Sequence, residues 1–286
     1  MKIRDCLALL GIRSKPQAYP YEIVDFELRK EGPIQYAQWL HPAETRKVVC
    51  QEGIDELRKF LAPGDVAVDI GAHTGDTTLS LALAVGASGC VLAVEPNQFV
   101  FQVLKKNSEL NAGKLNIIPL MIAATSERGE FLFEYSDAGF CNGGRHQGIS
   151  KWRHGHAYKL TVQGENLHDY IANHFSELQS RIRFIKIDAE GYDYEILKSL
   201  RAFILKQKPF LKVEVFKFTK RMQREQLYDF LTESGYDIFL VESDFNYRGP
   251  QLSRTQLFIR KHYDVFCVPK HSRDRAASNA QNRSNC

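Results

Sequence analysis

From residue 66 onward, short runs of branched apolar residues alternate with stretches whose apolar positions recur every three or four residues. Val66-Ala67-Val68-Asp69-Ile70 is too short for a helix and is closed by glycine, so it is expected to form a strand. Leu79, Ala82 and Leu83 share one face of a following helix that stops at Gly86. Cys90-Val91-Leu92-Ala93-Val94 is a second strand, ended by Glu95-Pro96, and Val100, Val103, Leu104 and Asn107 mark the helix behind it. Residues 116–124 read as a third strand, and 130–135 with 158–162 as two more around a loop. Leu167, Tyr170, Ile171, His174, Phe175 and Leu178 keep helical spacing for over three turns. Residues 183–187 and 210–216 are further strands, each with a helical stretch behind it, and 236–241 and 257–267 are late strands. Strands regularly separated by helices imply an α/β, doubly wound, mostly parallel sheet, and two strands after the last helix imply a C-terminal antiparallel hairpin.

Outside this rhythm, residues 1–60 read as an N-terminal helical cap, because Ile54, Leu57 and Leu61 have helical spacing before Pro63-Gly64. Residues 61–270 form the main domain, with 128–163 as an inserted hairpin and basic loop. The tail 271–286 lacks large apolar residues and is expected to be disordered. Among 286 residues, 44% are hydrophobic and 25% charged, which excludes a largely disordered, collagen-like or membrane chain. No stretch approaches the roughly 20 apolar residues of a membrane span. The opening segment carries only about six uninterrupted apolar residues, too few for a secretory signal. Cysteines at 6, 50, 90, 141, 267 and 286 never form Cys-x-x-Cys, so free thiols in a reducing, cytoplasmic setting are expected.

The net charge of +4 is concentrated in one place. Residues 141–160 hold Arg145, Lys151, Arg153 and Lys159 with no acid, together with His146, Trp152, His154 and His156. A solvated loop would explain this, and so would a lid that meets an anionic or polar substrate through Arg145, His146, Trp152, Arg153 and His154. The stretch is not interleaved with aromatics as single-strand nucleic-acid binders are, so nucleic acid is not expected as a partner.

In an open α/β sheet, ligands bind beyond the carboxyl ends of the strands. Acids stand at four of those ends: Asp69, Glu95, Asp188 with Glu190, and Glu214. After Asp69 comes a turn with Gly71 and Gly75 that opens a helix, but His73 occupies the middle position of a dinucleotide fingerprint. An acid two residues before the first glycine repels a diphosphate, which argues against a nicotinamide-dependent oxidoreductase. A cationic ligand without phosphate fits better, and S-adenosylmethionine is one. Glu95, 26 residues after Asp69, stands where a carboxylate accepts both ribose hydroxyls. Asp188 and Glu190 are the candidates for taking a proton from a hydroxyl acceptor. With Glu214 they could instead hold a divalent cation, the less favoured alternative.

Val68-Asp-Ile-Gly-Ala-His-Thr-Gly75, Val94-Glu-Pro96 and Phe184-Ile-Lys-Ile-Asp-Ala-Glu-Gly191 together resemble the FkbM-type S-adenosylmethionine-dependent methyltransferases, from about residue 60 to about 217. The resemblance implies a class I, Rossmann-like methyltransferase acting on a hydroxyl of a sugar, glycan or natural product. It implies cofactor contacts from Asp69, Gly71, Ala72, His73, Thr74, Gly75, Glu95, Pro96, Asn97 and Ala123. Here His73 replaces the usual asparagine, and His168 a usual aspartate. The Asn/Asp-Pro-Pro-Tyr/Phe signature of amino-directed enzymes and the Pro-Cys nucleophile of C5-cytosine enzymes are both missing. A binding module that keeps the fold without catalysis is the non-enzymatic alternative.

Overall fold

The computed structural model describes residues 18–42, 44–135, 143–144 and 158–270. Two antiparallel strands come first, β1 (Tyr21–Leu28) and β2 (Gly32–Trp39), followed by a short helix α1 (Gln51–Leu57). The main sheet then begins with β3 (Val66–Ile70), α2 (Asp76–Val85), β4 (Cys90–Val94), α3 (Gln98–Glu109) and β5 (Ile117–Leu120). A small second sheet comprises β6 (Ala123–Thr125), β7 (Gly129–Tyr135), β8 (Gly143–Gly144) and β9 (Tyr158–Asn166). Helices α4 (Leu167–His174) and α5 (Ser176–Gln179) lead back to β10 (Ile182–Ile187). The chain finishes with α6 (Asp193–Ser199), α7 (Arg201–Gln207), β11 (Phe210–Val215), α8 (Arg221–Glu233), β12 (Tyr236–Leu240) and β13 (Tyr263–Pro269).

The seven-stranded sheet has the order β12-β13-β11-β10-β3-β4-β5. All neighbours pair in parallel except β13, which runs antiparallel to both β11 and β12. The chain starts at β3, moves outward through β4 and β5, then returns to β10 on the other side. The switch point therefore lies between β3 and β10. Side-chain alternation explains why both faces are covered. Val66, Val68 and Ile70 pack with Ile196, Leu197, Phe203 and Leu227 on one face, whereas Ala67 packs with Ile54, Leu57 and the α2 residues Leu79 and Ala82 on the other. Each fully buried Val, Leu or Ile among them contributes roughly 1.5–3 kcal/mol.

The N-terminal extension is not the expected helical cap. Its α1 is only seven residues long and stops before Leu61, and a hairpin precedes it. Leu28, Ile34 and Tyr36 are buried at the period of two that a strand requires, and Gly32 supplies the turn at φ 70°. The stretch 116–124 is two strands rather than one. Pro119 has no N–H to donate and fits in β5 because β5 is a sheet edge, after which the chain leaves for the second sheet at β6. The helix of 167–178 breaks at Phe175 (φ −142°, ψ 40°), and the last strand starts only at Tyr263. Among the described residues no helix is long and apolar enough to cross a membrane. Arg145, His146, Trp152, Arg153, His154 and the tail 271–286 lie outside the described residues.

Candidate active site

A cavity of about 280 Å³ opens beyond the carboxyl ends of β3, β4 and β10, at the switch point. Gly71, Ala72, His73, Glu95, Pro96, Ala123, Asp188 and Glu190 line it. Three short loops are stitched together there through the main chain: Gly71 and Ala72 N–H both donate to the Val94 carbonyl, and Asp188 N–H donates to the Ile70 carbonyl, each at 3.0 Å. Gly71 cannot be replaced without moving this wall. Its φ is +77°, and a Cβ would lie 1.9 Å from the Asp188 carbonyl oxygen. His73 and Glu190 both adopt φ of 51°, the left-handed region that non-glycine residues seldom occupy. Two such residues on one cavity wall mark it as a site under functional constraint.

Glu95 is buried at the end of β4. One carboxylate oxygen accepts the His73 N–H at 3.0 Å and the other accepts the Asn97 N–H at 2.9 Å. Each oxygen keeps further acceptor capacity toward the cavity. Burial pushes its pKa up to about 7 against the pull of those two N–H groups. The His73 imidazole is held neutral by burial and by the nearby Lys47 charge, with its pKa lowered to about 4. Its Nε2 is buried in the wall without a hydrogen-bond partner.

Asp69, Thr74, Gly75 and Asn97 do not line the cavity; they build it from behind. Asp69 is fully buried and accepts the Thr78 hydroxyl at 2.7 Å, while Thr74 exchanges a hydrogen bond with the Tyr36 hydroxyl at 2.7 Å. Gly75 starts α2 with φ of 93°, and the Asn97 side chain accepts the Phe99 N–H at the start of α3. In this structure these four residues stand behind the residues that line the cavity.

Lys186, on β10, organises the floor. It stands in register with Asp69 across the β3–β10 pair. Its ammonium lies 3.3 Å from Asp69, 3.2 Å from Asp188 and 3.3 Å from the Gly71 carbonyl. The Lys186 charge holds the Asp188 carboxyl below its ordinary range despite burial. Glu190 behaves oppositely: burial and the Asp188 charge raise it to about 7. Glu214 turns under the loop, where it accepts the Glu190 N–H at 3.1 Å and lies 3.4 Å from His262. Among the described residues no His, Cys, Asp or Glu group has the arrangement to hold a metal ion.

The sequence reading missed the contribution of the N-terminal extension. Glu44 and Lys47 reach the cavity rim, where the Lys47 ammonium pairs with Glu44 at 3.2 Å and with Asp76, the first residue of α2, at 3.3 Å. Only Asp76 carried a local signal, since it directly follows Gly75. Phe133 and Tyr135 of β7 and Tyr192 complete the apolar part of the wall.

A sheet in this strand order, with a ligand cavity at its switch point and an acid at the end of the second strand, defines a class I, Rossmann-like methyltransferase fold. The sequence model of the Methyltransferase FkbM domain matches residues 69–238. The chain belongs to the FkbM methyltransferase family. Among curated proteins none matches the sequence. Solved structures with similar folds include a methyltransferase FkbM from Methylobacillus flagellatus KT, at 16% identity and a TM-score of 0.45. That similarity covers 72% of this chain but only 44% of the Methylobacillus protein. A SAM-dependent O-methyltransferase from Thermotoga maritima is 14% identical over 87% of this chain and 78% of that one, with a TM-score of 0.43. Aeropyrum pernix fibrillarin, in complex with natively bound S-adenosyl-L-methionine, is 12% identical over 90% and 98% of the two chains, with a TM-score of 0.41.

Proposed function

We propose that the chain methylates a hydroxyl of a sugar, glycan or natural-product small molecule, using S-adenosylmethionine. The observation that carries this reading is Glu95, whose carboxylate is fixed by two main-chain N–H groups and still faces the cavity. A rigid, buried acceptor pair of this kind fits the adjacent hydroxyls of a ribose. The lone buried Nε2 of His73 and the mixed charges of Glu44, Lys47 and Asp76 fit the same ligand, whose amino-acid end carries both an ammonium and a carboxylate. Bound S-adenosylmethionine supplies a methyl group on a sulfonium, open to in-line attack by an oxygen nucleophile.

The chain's own residues then divide the remaining work. Asp188, kept ionised by Lys186, sets a fixed negative charge on the cavity floor and favours a cationic ligand. Glu190 is the better base of the two, because a carboxyl with a pKa near 7 can take a hydroxyl proton at neutral pH. The basic stretch 141–160 follows closely in sequence on Tyr135, which lines the cavity, and this supports its reading as an acceptor contact. Arg145, His146, Trp152, Arg153 and His154 are its proposed acceptor-binding residues.

Incubation with S-adenosylmethionine labelled in the methyl group and with fractionated cell metabolites tests the reaction. The expected result is label in an alkali-stable O-methyl product, together with thermal stabilisation by S-adenosylhomocysteine and none by NAD. Stabilisation by NAD alone, or by neither ligand, would overturn the proposal.

A further inference from the structure

The segment after β11 and the segment before β13 meet on the cavity side of the sheet, outside the site described above. Arg224 welds them together. Its guanidinium donates to the carbonyls of Phe216 at 3.3 Å, Leu257 at 3.1 Å and Arg260 at 2.8 Å, and also to that of Lys261. The surface they form is exposed and carries an excess of cations. Lys220, Arg260 and Lys261 point to solvent and take part in no ion pair among the described residues. The nearby acids are already neutralised: Glu225 pairs with Arg221 at 3.0 Å and Asp229 with Arg254 at 2.9 Å.

Large apolar side chains stand among these cations. Met222 is 64% exposed, Ile259 54% and Phe258 43%. Single exposed apolar residues are common, but a basic surface with several of them grouped is a docking feature. We infer that this face docks on an anionic lipid bilayer, with its cations at the headgroups and Met222, Phe258 and Ile259 inserted at the interface. The chemistry favours a bilayer over nucleic acid. The Arg221 guanidinium takes one face of the Phe258 ring at 5.2 Å, and Met222 and Ile259, the more exposed of the three, are aliphatic and offer no stacking platform to a base.

The position gives the surface a use. Phe216, at the base of the patch, lies 6.2 Å from His262 and would be 3.2 Å from a Cβ at Gly191, the residue after Glu190. A bilayer held here therefore lies beside the Glu190 side of the cavity rim.

Vesicle flotation with the full chain tests the inference. Vesicles of phosphatidylcholine with about a third phosphatidylserine are expected to bind it at least about tenfold more tightly than phosphatidylcholine alone. Raising the salt should weaken this, since exposed charges are screened beyond about 8–10 Å. The triple change Lys220→Glu, Arg260→Glu, Lys261→Glu should remove at least about tenfold of that affinity. The pair Met222→Ser, Ile259→Ser should lower it separately. Both variants should keep the parent melting temperature and S-adenosylhomocysteine affinity. If the triple change lowers the melting temperature, the milder Lys220→Gln, Lys261→Gln pair is measured instead. Equal binding to neutral and anionic vesicles, no binding to either, or undiminished binding after charge removal would overturn the inference. So would tighter retention on single-stranded RNA than on anionic vesicles.

Discussion

At the scale of single residues, the site separates carboxylates that must carry charge from those that hold a proton. Glu95 has a pKa of about 7, so its ionised, doubly accepting form grows as pH rises through neutrality. S-adenosylhomocysteine affinity should rise over the same range, and Glu95→Gln should abolish that dependence. The substitution should also cost about 2–3 kcal/mol of binding, because charge-assisted hydrogen bonds are lost. Calorimetry showing unchanged affinity and an unchanged pH profile would remove Glu95 from the ribose role. Glu190→Gln should lower turnover by roughly 10²-fold and leave that affinity nearly intact, the pattern of a group that acts on the acceptor proton. The two acids were legible in sequence for one reason: each directly follows a short apolar strand or its first turn. Lys186 was equally visible as a lone charge inside Ile-Lys-Ile, but its partner Asp69 lies 117 residues earlier, and only the strand register brings them together. Glu44 and Lys47 had no such signal, since their place on the rim is set by a hairpin remote from the motif.

At the scale of elements, one buried side chain ties that hairpin to the glycine-rich loop, alongside the Tyr36–Thr74 hydrogen bond and the contacts of Asn111 and Lys114. Asn107 of α3 accepts the Ala37 N–H at 2.6 Å and donates to the carbonyls of Ala37 at 3.2 Å and Thr74 at 2.7 Å. It thus joins β2, α3 and the glycine-rich loop in one buried contact. Asn107→Ala would strand the Ala37 N–H and the Thr74 carbonyl in the interior. The expected loss is about 2–4 kcal/mol of unfolding free energy, with weaker S-adenosylhomocysteine binding as the loop loosens. Chemical denaturation giving a loss below about 0.5 kcal/mol would show that the hairpin is held elsewhere. The sequence placed Asn107 on the apolar side of its helix but gave no partner for it. The central strands were readable because both of their faces are buried and their residues are mostly apolar and rich in Val and Ile. The hairpin was not, because strand alternation in Phe26-Glu27-Leu28 and Ile34-Gln35-Tyr36 is short and lies beside a helical spacing that drew the reading. The break at Phe175 had no local signal either: its spacing continues the helix, and only its backbone leaves it.

At the scale of the whole molecule, the carboxyl edge of the sheet is a concentration of buried acid, and this sets how stability follows pH. Burial raises Glu95 and Glu190 to about 7, and also raises Glu44, Asp193 and Glu214, the last two further through the Asp188 charge. The folded protein therefore binds more protons than the unfolded chain between the ordinary carboxylate range and about pH 7. Stability must fall as pH rises through that window, because the native state is the one that holds the extra protons. Other groups act otherwise. His73, lowered to about 4, favours the fold as pH rises toward 6.5. Asp188, lowered by Lys186, matters only below the carboxylate range, as do Asp55, Asp76 and Asp229, which are lowered by neighbouring cations. One imidazole against five carboxyls leaves the sign unchanged. The ligand-free protein should melt at least about 2 °C higher at pH 5.5 than at pH 7.5, the shift that about 1 kcal/mol produces in a domain of this size. Glu214→Gln should flatten that slope, since a neutral amide needs no proton at a buried position of the cluster. Saturating S-adenosylhomocysteine should flatten it further, because a ligand that uses ionised Glu95 binds better as pH rises. Differential scanning fluorimetry across this range measures all three, and a melting temperature that falls on acidification to pH 5.5 would show that the acids at this edge are solvated rather than buried.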